Sequence, residues 1–341
     1  MKIFVIPASL KGRFIYPLSN SGSILIIVVW MLLILSFFCI TLGYIVSQKL
    51  NVAGHIKDRV LSYYLAKAAI QLAIEVLDND KTEYDSLNDC WSNNEEMFKD
   101  IELGSGTFSI VNQLDSKAAG NIKYGLIDEE RKININTANK DILVSLLMIK
   151  GCSVLKANEL ADCIIDWRDK DSKVRKYGAE DNYYNSLEIP YNCKDADFES
   201  IEELMLVKGM NEELFCQIKD DLTVFGNGQV NINTANRDIL ISIGMGSILA
   251  EKIISYRLGF DGLPMTLDDR AFEDVEDIKQ ELDLSETEME IINSLITSGF
   301  ITTKSDNFKF IACGKLSNNE TISKIVCVVD RAGVIKYWRE D

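Results

Sequence analysis

Ile133-Asn134-Ile135-Asn136-Thr137-Ala138-Asn139-Lys140-Asp141-Ile142-Leu143 returns 97 residues later as Val230-Asn231-Ile232-Asn233-Thr234-Ala235-Asn236-Arg237-Asp238-Ile239-Leu240. Chance does not produce a match of this length and order, so the chain contains an internal duplication. In each copy the alternating apolar residues predict a short extended stretch, after which Asn136 or Thr137, and Asn233 or Thr234, are placed to cap a helix. Ala138 and Ala235 then fall in the first turn, and Ile142/Leu143 and Ile239/Leu240 return to the core side. The second copy runs through Gly244-Met245-Gly246 into a second apolar helix ending near Arg257. The first copy diverges after its opening helix.

Upstream, Ile24–Val46 is a run of 23 residues with no charge, ILIIVVWMLLILSFFCITLGYIV. As a helix it spans roughly 34 Å against a hydrocarbon core of about 30 Å. It exceeds the apolar region of a removed secretory signal, and no small-x-small cleavage pattern follows it. It is therefore expected to be a retained membrane helix. Lys2, Lys11 and Arg13 precede it with no acidic residue, which favours a cytoplasmic N-terminus and an extracytoplasmic body. Beyond it, Val60, Leu61, Tyr64, Leu65, Ala68, Leu72 and Val76 recur at helical spacing and predict a stem helix with one apolar face.

The 341 residues are 47% hydrophobic and 26% charged, with 36 Lys plus Arg against 52 Asp plus Glu. That balance suits a folded chain of about two domains and opposes broad attraction to nucleic acid or anionic lipid. The only histidine, His55, sits beside the stem, which removes Ser-His-Asp, Cys-His and multi-histidine zinc chemistry. No phosphate loop or dinucleotide fingerprint is present. No enzyme is expected.

Asp166, Asp169, Asp171, Glu180 and Asp181 crowd five carboxylates into one stretch. Calcium takes six to eight hard oxygens, carbonyls and waters included, so this stretch is a candidate metal loop. The plainer reading is a solvated loop neutralised by Lys170, Lys173, Arg175 and Lys176. A second acidic stretch, Asp268, Asp269, Glu273, Asp274, Glu276 and Asp277, reads as a solvated helical face. Seven cysteines lie outside the apolar run, and an odd number cannot all pair within one chain. Cys313 and Cys327 sit in two expected strands, Phe308–Gly314 and Thr321–Val329, around the turn Ser317-Asn318-Asn319-Glu320, and form the candidate disulfide. Cys90 either pairs with Cys193 or stays reduced. A third strand, Val334–Trp338, and Phe108–Asn112 are expected to join the same sheet.

The helix-glycine-helix of the second copy resembles a helix-hairpin-helix unit, whose turn amides can hold a DNA phosphate. Phe225–Phe260 carries three basic residues against two acidic ones, and Asp261–Glu290 two against twelve. That charge offers no surface for releasing counterions from DNA. The short basic leader ending Ser21-Gly22 before an apolar helix resembles the signal of prepilins and pseudopilins. The Asn-x-Asn-Thr-Ala repeats, Asp166-Trp167-Arg168-Asp169-Lys170-Asp171, Gly178-Ala179-Glu180 and Glu203-Leu204-Met205-Leu206-Val207-Lys208-Gly209 together resemble the K-type minor pseudopilin of the type II secretion system.

The resemblance implies an α+β fold: an N-terminal transmembrane and stem helix with an antiparallel sheet, and a large all-α insertion containing the two repeats. It divides the chain into a leader (1–22), a membrane helix (23–46), the stem and first part of the body (47–132), the helical insertion (133–298) and closing strands (299–341). It implies cleavage by the prepilin peptidase between Gly22 and Ser23, and Ile27 stands at the fifth mature position where most relatives have Glu. It implies Ca2+ in the soluble domain, with Asp169, Asp171, Glu180 and Asp181 as ligands. It further implies a single-pass inner-membrane protein with a periplasmic body at the tip of the pseudopilus. There it would meet I- and J-type minor pseudopilins through a stem face of Val60, Tyr64, Leu65, Ala68 and Leu72, with the platform, secretin or cargo as further contacts. The alternative is a membrane-anchored helix-hairpin-helix DNA receptor.

Overall fold

The computed structural model describes residues 21–112, 123–264, 266, 268–317 and 322–340. The basic leader positions Lys2, Lys11 and Arg13, and the turn residues Asn318-Asn319-Glu320, lie outside the described residues. The chain divides into two units, residues 1–57 and Asp58–Asp341.

The described residues of the first unit form one helix, the opening part of α1 (Ser21–Asn79). From Ile24 to Val46 every side chain is exposed. Trp30, Phe37 and Phe38 are 59% or more open. An apolar helix of this length with no protein around it is consistent with a single membrane-spanning anchor. A second apolar stretch, Arg237–Arg257, is also long enough to span, but its Ile239, Leu240, Ala250 and Ile253 are wholly buried, so it is core.

In the second unit the rest of α1 is followed by α2 (Glu95–Phe98), β1 (Ile101–Leu103), β2 (Gly106–Val111), β3 (Ile127–Asp128), β4 (Ile133–Asn134), α3 (Lys140–Ile149), α4 (Val154–Arg168) and α5 (Asp181–Tyr184). Next come α6 (Glu212–Ile218), β5 (Leu222–Thr223), β6 (Val230–Asn231), α7 (Arg237–Leu240), α8 (Gly246–Arg257), α9 (Ile278–Glu281) and α10 (Glu286–Thr297). The chain closes with β7 (Ile301–Thr302), β8 (Asn307–Leu316), β9 (Ile322–Asp330) and β10 (Ile335–Glu340).

The main sheet is antiparallel, ordered β1-β2-β8-β9-β10, with β3 also on β8. Its middle strand β8 alternates, with Phe308, Phe310 and Ala312 buried against α1. The facing side of α1 is built from Ala66, Ala69 and Ala73, all 0% exposed, with Ile70 and Leu77. Small residues let the helix lie close to the sheet. The approach is tightest at Gly314, where an added Cβ would stand 2.0 Å from the Ser62 carbonyl oxygen and 2.6 Å from Ala66 N.

Two sequence expectations are corrected here. Cys313 lies opposite Lys324, and Cys327 opposite Phe310. An offset of three along β8 puts the two sulfurs on opposite faces of the sheet, and both are free thiols. Cys90, exposed, and Cys193, buried, are free as well. The anticipated stem face is also divided. Leu65 is buried, and Ala68 and Leu72 are half-buried against the body's own core. Only Val60 and Tyr64 of that set are open, together with Leu61.

Between β3 and β8 lies the duplicated region, helical apart from two short parallel strand pairs, β4 with β5 and β6 with β7. The helix caps are Asn139 and Asn236, three positions beyond Asn136 and Asn233. Their side chains accept from Ile142 N and Ile239 N, each at 2.9 Å. Asn136 and Asn233 instead clasp a distant backbone. Asn136 accepts from Phe198 N and donates to Phe198 O, at 2.8 and 3.0 Å. Asn233 does the same with Phe272, both at 2.9 Å.

The two copies continue to match beyond their first helix. Arg168, closing α4, donates to the carbonyls of Ile135 and Ala138. Arg257, closing α8, donates to those of Ile232 and Ala235. Phe198-Glu199-Ser200-Ile201-Glu202-Glu203-Leu204 and Phe272-Glu273-Asp274-Val275-Glu276-Asp277-Ile278 then occupy equivalent places. In each, the acid three residues on accepts from the capping residue's N–H: Glu203 from Ser200 at 3.1 Å, Asp277 from Asp274 at 2.9 Å. A return strand closes each copy beside its opening strand. Ile135 N bonds Thr223 O at 2.9 Å, and Ile232 N bonds Thr302 O at 3.0 Å.

Candidate metal centre

The connection from α4 to Phe198 holds the candidate site. Asp166 lies in the last turn of α4, which ends where Asp169 turns extended. Trp167 anchors this end in the core, 3% exposed and edge-on to Tyr184 at 5.1 Å. The chain then loops out and returns at Gly178, where an added Cβ would stand 1.8 Å from Asp166 Oδ2. Only glycine permits that return, and it delivers buried Glu180 to the end of α4. A second return is made at Asp195, whose φ of +50° lies in the left-handed region. Its N–H bonds the Trp167 carbonyl at 3.1 Å, which turns its side chain back toward Glu180.

Glu180, Asp195 and Cys193 each offer a ligand atom, all within 4.8 Å of one another. Three carboxylate oxygens here are buried with no hydrogen-bond partner, Asp169 Oδ1, Glu180 Oε1 and Asp195 Oδ1, and a fourth, Asp166 Oδ1, has only an ion pair to Arg175. Arg175 approaches from the rim, 3.3 Å from Asp166 and 3.4 Å from Asp169. One guanidinium does not offset four acids. Burial, then the charges of Asp166 and Asp195, pushes the Glu180 carboxyl up to about 7. Burial likewise lifts Asp166 to about 6, against a hydrogen bond from Arg175 N. Orphaned, buried oxygens on mutually repelling carboxylates are the condition that a bound cation relieves. An oxygen-rich donor set suits a hard divalent ion.

Of the residues anticipated from sequence, Asp169 and Glu180 belong to this cluster and two do not. Asp171 is exposed and its Oδ1 accepts from Lys173 N at 2.8 Å. Asp181 is exposed and its Oδ1 accepts from Cys193 N at 2.8 Å. Asp181 therefore positions the Cys193 segment. Asp195 and Cys193 were missed, because only the fold closes the long loop that separates them from α4.

The second acidic stretch is built differently. Asp268 is in a turn, with Oδ2 accepting from Phe260 N at 2.6 Å and Asp261 N at 3.1 Å. The Thr266 hydroxyl first, then these two N–H groups, hold its carboxyl below the usual range. Asp261, Asp268 and Asp269 approach one another, but at the surface. Asp274 and Asp277 are spent on their own capping box. A third group, Asp80, Asp85 and Asp89, has its cation already, since Arg331 lies between Asp80, at 3.2 Å, and Asp85.

The glycine turn after α7 has φ of +100° at Gly244 and +71° at Gly246. The cations around it are engaged. Arg237 pairs with Glu251, Lys252 with Glu288 at 2.7 Å, and Arg257 is turned onto buried carbonyls. Nothing in that arrangement presents positive charge for a phosphate backbone.

Residues 111–227, which contain the candidate site and the whole first copy, match the sequence family described as Type II secretion system (T2SS), protein K. The chain is 38% identical over 82 residues to the type II secretion system protein K of Aeromonas hydrophila, covering 23% of this chain and 25% of that protein. It is 24% identical over 134 residues to the putative type II secretion system protein K of Escherichia coli strain K12, covering 36% and 41%. The chain thus aligns with well under half the length of these relatives. Its fold superposes on a chain in the crystal structure of the GspK-GspI-GspJ complex from the enterotoxigenic Escherichia coli type 2 secretion system. The TM-score is 0.62 at 16% identity, over 86% of this chain and 99% of that one. Residues 111–227 are thus similar in sequence to the type II secretion system protein K family, and most of the chain shares its fold with a chain of that complex.

Proposed function

We propose that this chain is a minor pseudopilin, a structural and non-catalytic subunit at the tip of the type II secretion pseudopilus, where it starts or caps assembly for protein export. The observation that carries the reading is α1. Its residues 24–46 carry no charge and are exposed, whereas Leu65, Ala66, Ala69, Ile70, Ala73 and Leu77 are buried in the core of the sheet body. One helix that is both membrane anchor and core element is what an inner-membrane subunit handed into a helical filament requires. The prepilin peptidase cuts after Gly22, the mature chain starts at Ser23, and Ile27 leaves no carboxylate to pair with a preceding subunit's N-terminal amine. A first subunit has no such predecessor. The N-terminus faces the cytoplasm and the body the periplasm.

The partners are I- and J-type minor pseudopilins, by analogy with the complex named above. They meet the open stripe Val60, Leu61 and Tyr64, while Leu65, Ala68 and Leu72 serve this chain's own core. The helix-hairpin-helix-like repeats are scaffolding. The ion at Asp166, Asp169, Glu180 and Asp195 is Ca2+, which would tie the end of α4 to the loop; carbonyls and water supply its remaining oxygens. The test is recovery of the native protein from inner membrane. A mature N-terminus at Ser23 and co-purification with two pilin-like chains support the reading. A cytosolic chain with Met1 intact and no such partners overturns it. For calcium, an unchanged melting temperature after chelation would remove the structural ion.

A further inference from the structure

Cys193 is the one soft donor in the carboxylate cluster. Its backbone is pinned by Asp181, it is 6% exposed, and its Sγ lies 3.6 Å from the Asp166 carbonyl oxygen, to which it donates. The same sulfur is within 4.8 Å of ligand oxygens of both Glu180 and Asp195. Glu180 is 4% exposed, and the unpartnered oxygens of Glu180 and Asp195 are buried beside it. A calcium ion has no use for a sulfur ligand. Thiolate with two or three carboxylates is instead a donor set for zinc-class ions, which are content with four ligands and bind sulfur strongly.

We infer that this pocket accepts two classes of metal: a hard ion held by oxygen alone, and a thiophilic divalent ion of the zinc class held by Cys193 Sγ, Glu180 and Asp195. In the second mode the Cys193 S–H bond breaks and a sulfur–metal bond forms. The proton leaves to solvent and no electron is transferred. The sulfur then turns from the Asp166 carbonyl toward the ion. The two modes exclude one another because they share Glu180 and Asp195. The inference rests on the cation-site reading of this cluster, although not on calcium being its usual occupant.

The full-length protein in detergent, titrated with Cd2+ as a spectroscopic stand-in for Zn2+, is expected to show a thiolate-to-metal charge-transfer band in the ultraviolet at the first equivalent. Excess Ca2+ should suppress the band. Cys193→Ser should lose it and bind Zn2+ at least ~10-fold more weakly, since even outer-shell partners are worth that much. The same variant should keep the Ca2+-induced rise in melting temperature. Asp195→Asn, which leaves every thiol in place, should weaken both metals and covers the case in which Cys193→Ser does not fold. A first-equivalent band that survives in Cys193→Ser, or is indifferent to Ca2+ and to Asp195→Asn, overturns the inference. A band lost in Cys193→Ser and weakened in Asp195→Asn but untouched by Ca2+, in a chain with no Ca2+-induced rise in melting temperature, would overturn the calcium assignment and the shared pocket and leave the thiol site alone standing.

Discussion

The two copies of the duplicated region share one frame and differ in one connection. Both run from a strand through an Asn-x-Asn clasp, two helices and a terminal arginine to a Phe-Glu segment and a return strand. In the first copy residues 169–197 join the arginine to the phenylalanine; in the second, residues 258–271 do. The longer connection can fold back over the helix end and bury carboxylates there, leaving oxygens without partners. The described residues of the shorter one stay near the surface, where Asp268 is satisfied by the amides of its own turn. Loop length over a constant frame decides whether an acidic cluster is buried with unpartnered oxygens or satisfied within a surface turn.

The frame is the part whose loss should cost most. Arg257→Ala leaves the carbonyls of Ile232 and Ala235 buried and unpaired, and at ~1–3 kcal/mol per orphaned group the loss should be about 3 kcal/mol. Arg168→Ala, at a partly exposed position, should lose about half as much. Chemical denaturation of both variants would show whether the copies are held alike, and equal losses would break the comparison. Next comes the clasp. Asn233→Ala removes two hydrogen bonds to Phe272 in a fully buried setting and should cost about 2 kcal/mol, against about 1 kcal/mol for Asn136→Ala.

The connection is probed by Glu180→Gln. In the metal-free chain the Glu180 carboxyl is raised to about 7 in the fold, above the ordinary value of about 4.3. Between these two pH values the folded state holds more protons than the unfolded one, so stability falls as pH rises through the window. Glu180→Gln should flatten that dependence, raise the melting temperature of the metal-free protein at pH 8 and abolish its response to Ca2+. Thermal melts at several pH values with and without chelator would check all three. The smallest effect belongs to the second connection. Asp268→Asn should lower the melting temperature slightly and leave the Ca2+ response as it was. A lost response would mean that the second cluster also holds the ion.

Much of the body was legible because its signals are local. The expected strands Phe308–Gly314, Thr321–Val329 and Val334–Trp338 correspond to Asn307–Leu316, Ile322–Asp330 and Ile335–Glu340. Alternation of buried and open residues suffices for that. Facing could not be read, because a disulfide between Cys313 and Cys327 depends on register and on which side of the pleat each sulfur occupies. The repeat was visible only where its spacing is constant. The second half of each copy is displaced by the unequal connections, so Phe198-Glu199-Ser200 and Phe272-Glu273-Asp274 fall out of step with the opening match. The caps were placed on Asn136 or Thr137 and on Asn233 or Thr234 because those residues satisfy the same local rule as Asn139 and Asn236. The true partners of Asn136 and Asn233, Phe198 and Phe272, lie far along the chain. Asp195 carried no local signal at all.

The contact between Gly314 and the backbone of α1 at Ser62 and Ala66 leaves no room for a side chain, and a helix seated backbone to backbone cannot roll about its own axis. The angular setting of the open stripe Val60, Leu61 and Tyr64 is thereby locked to the sheet. Inserting a single residue between Tyr64 and Leu65 would swing that stripe through about 100° while the membrane segment kept its composition and length. Such a chain would keep its apolar segment and its buried acidic cluster, yet would turn the stripe to another side, separating the setting of that stripe from everything else the helix does.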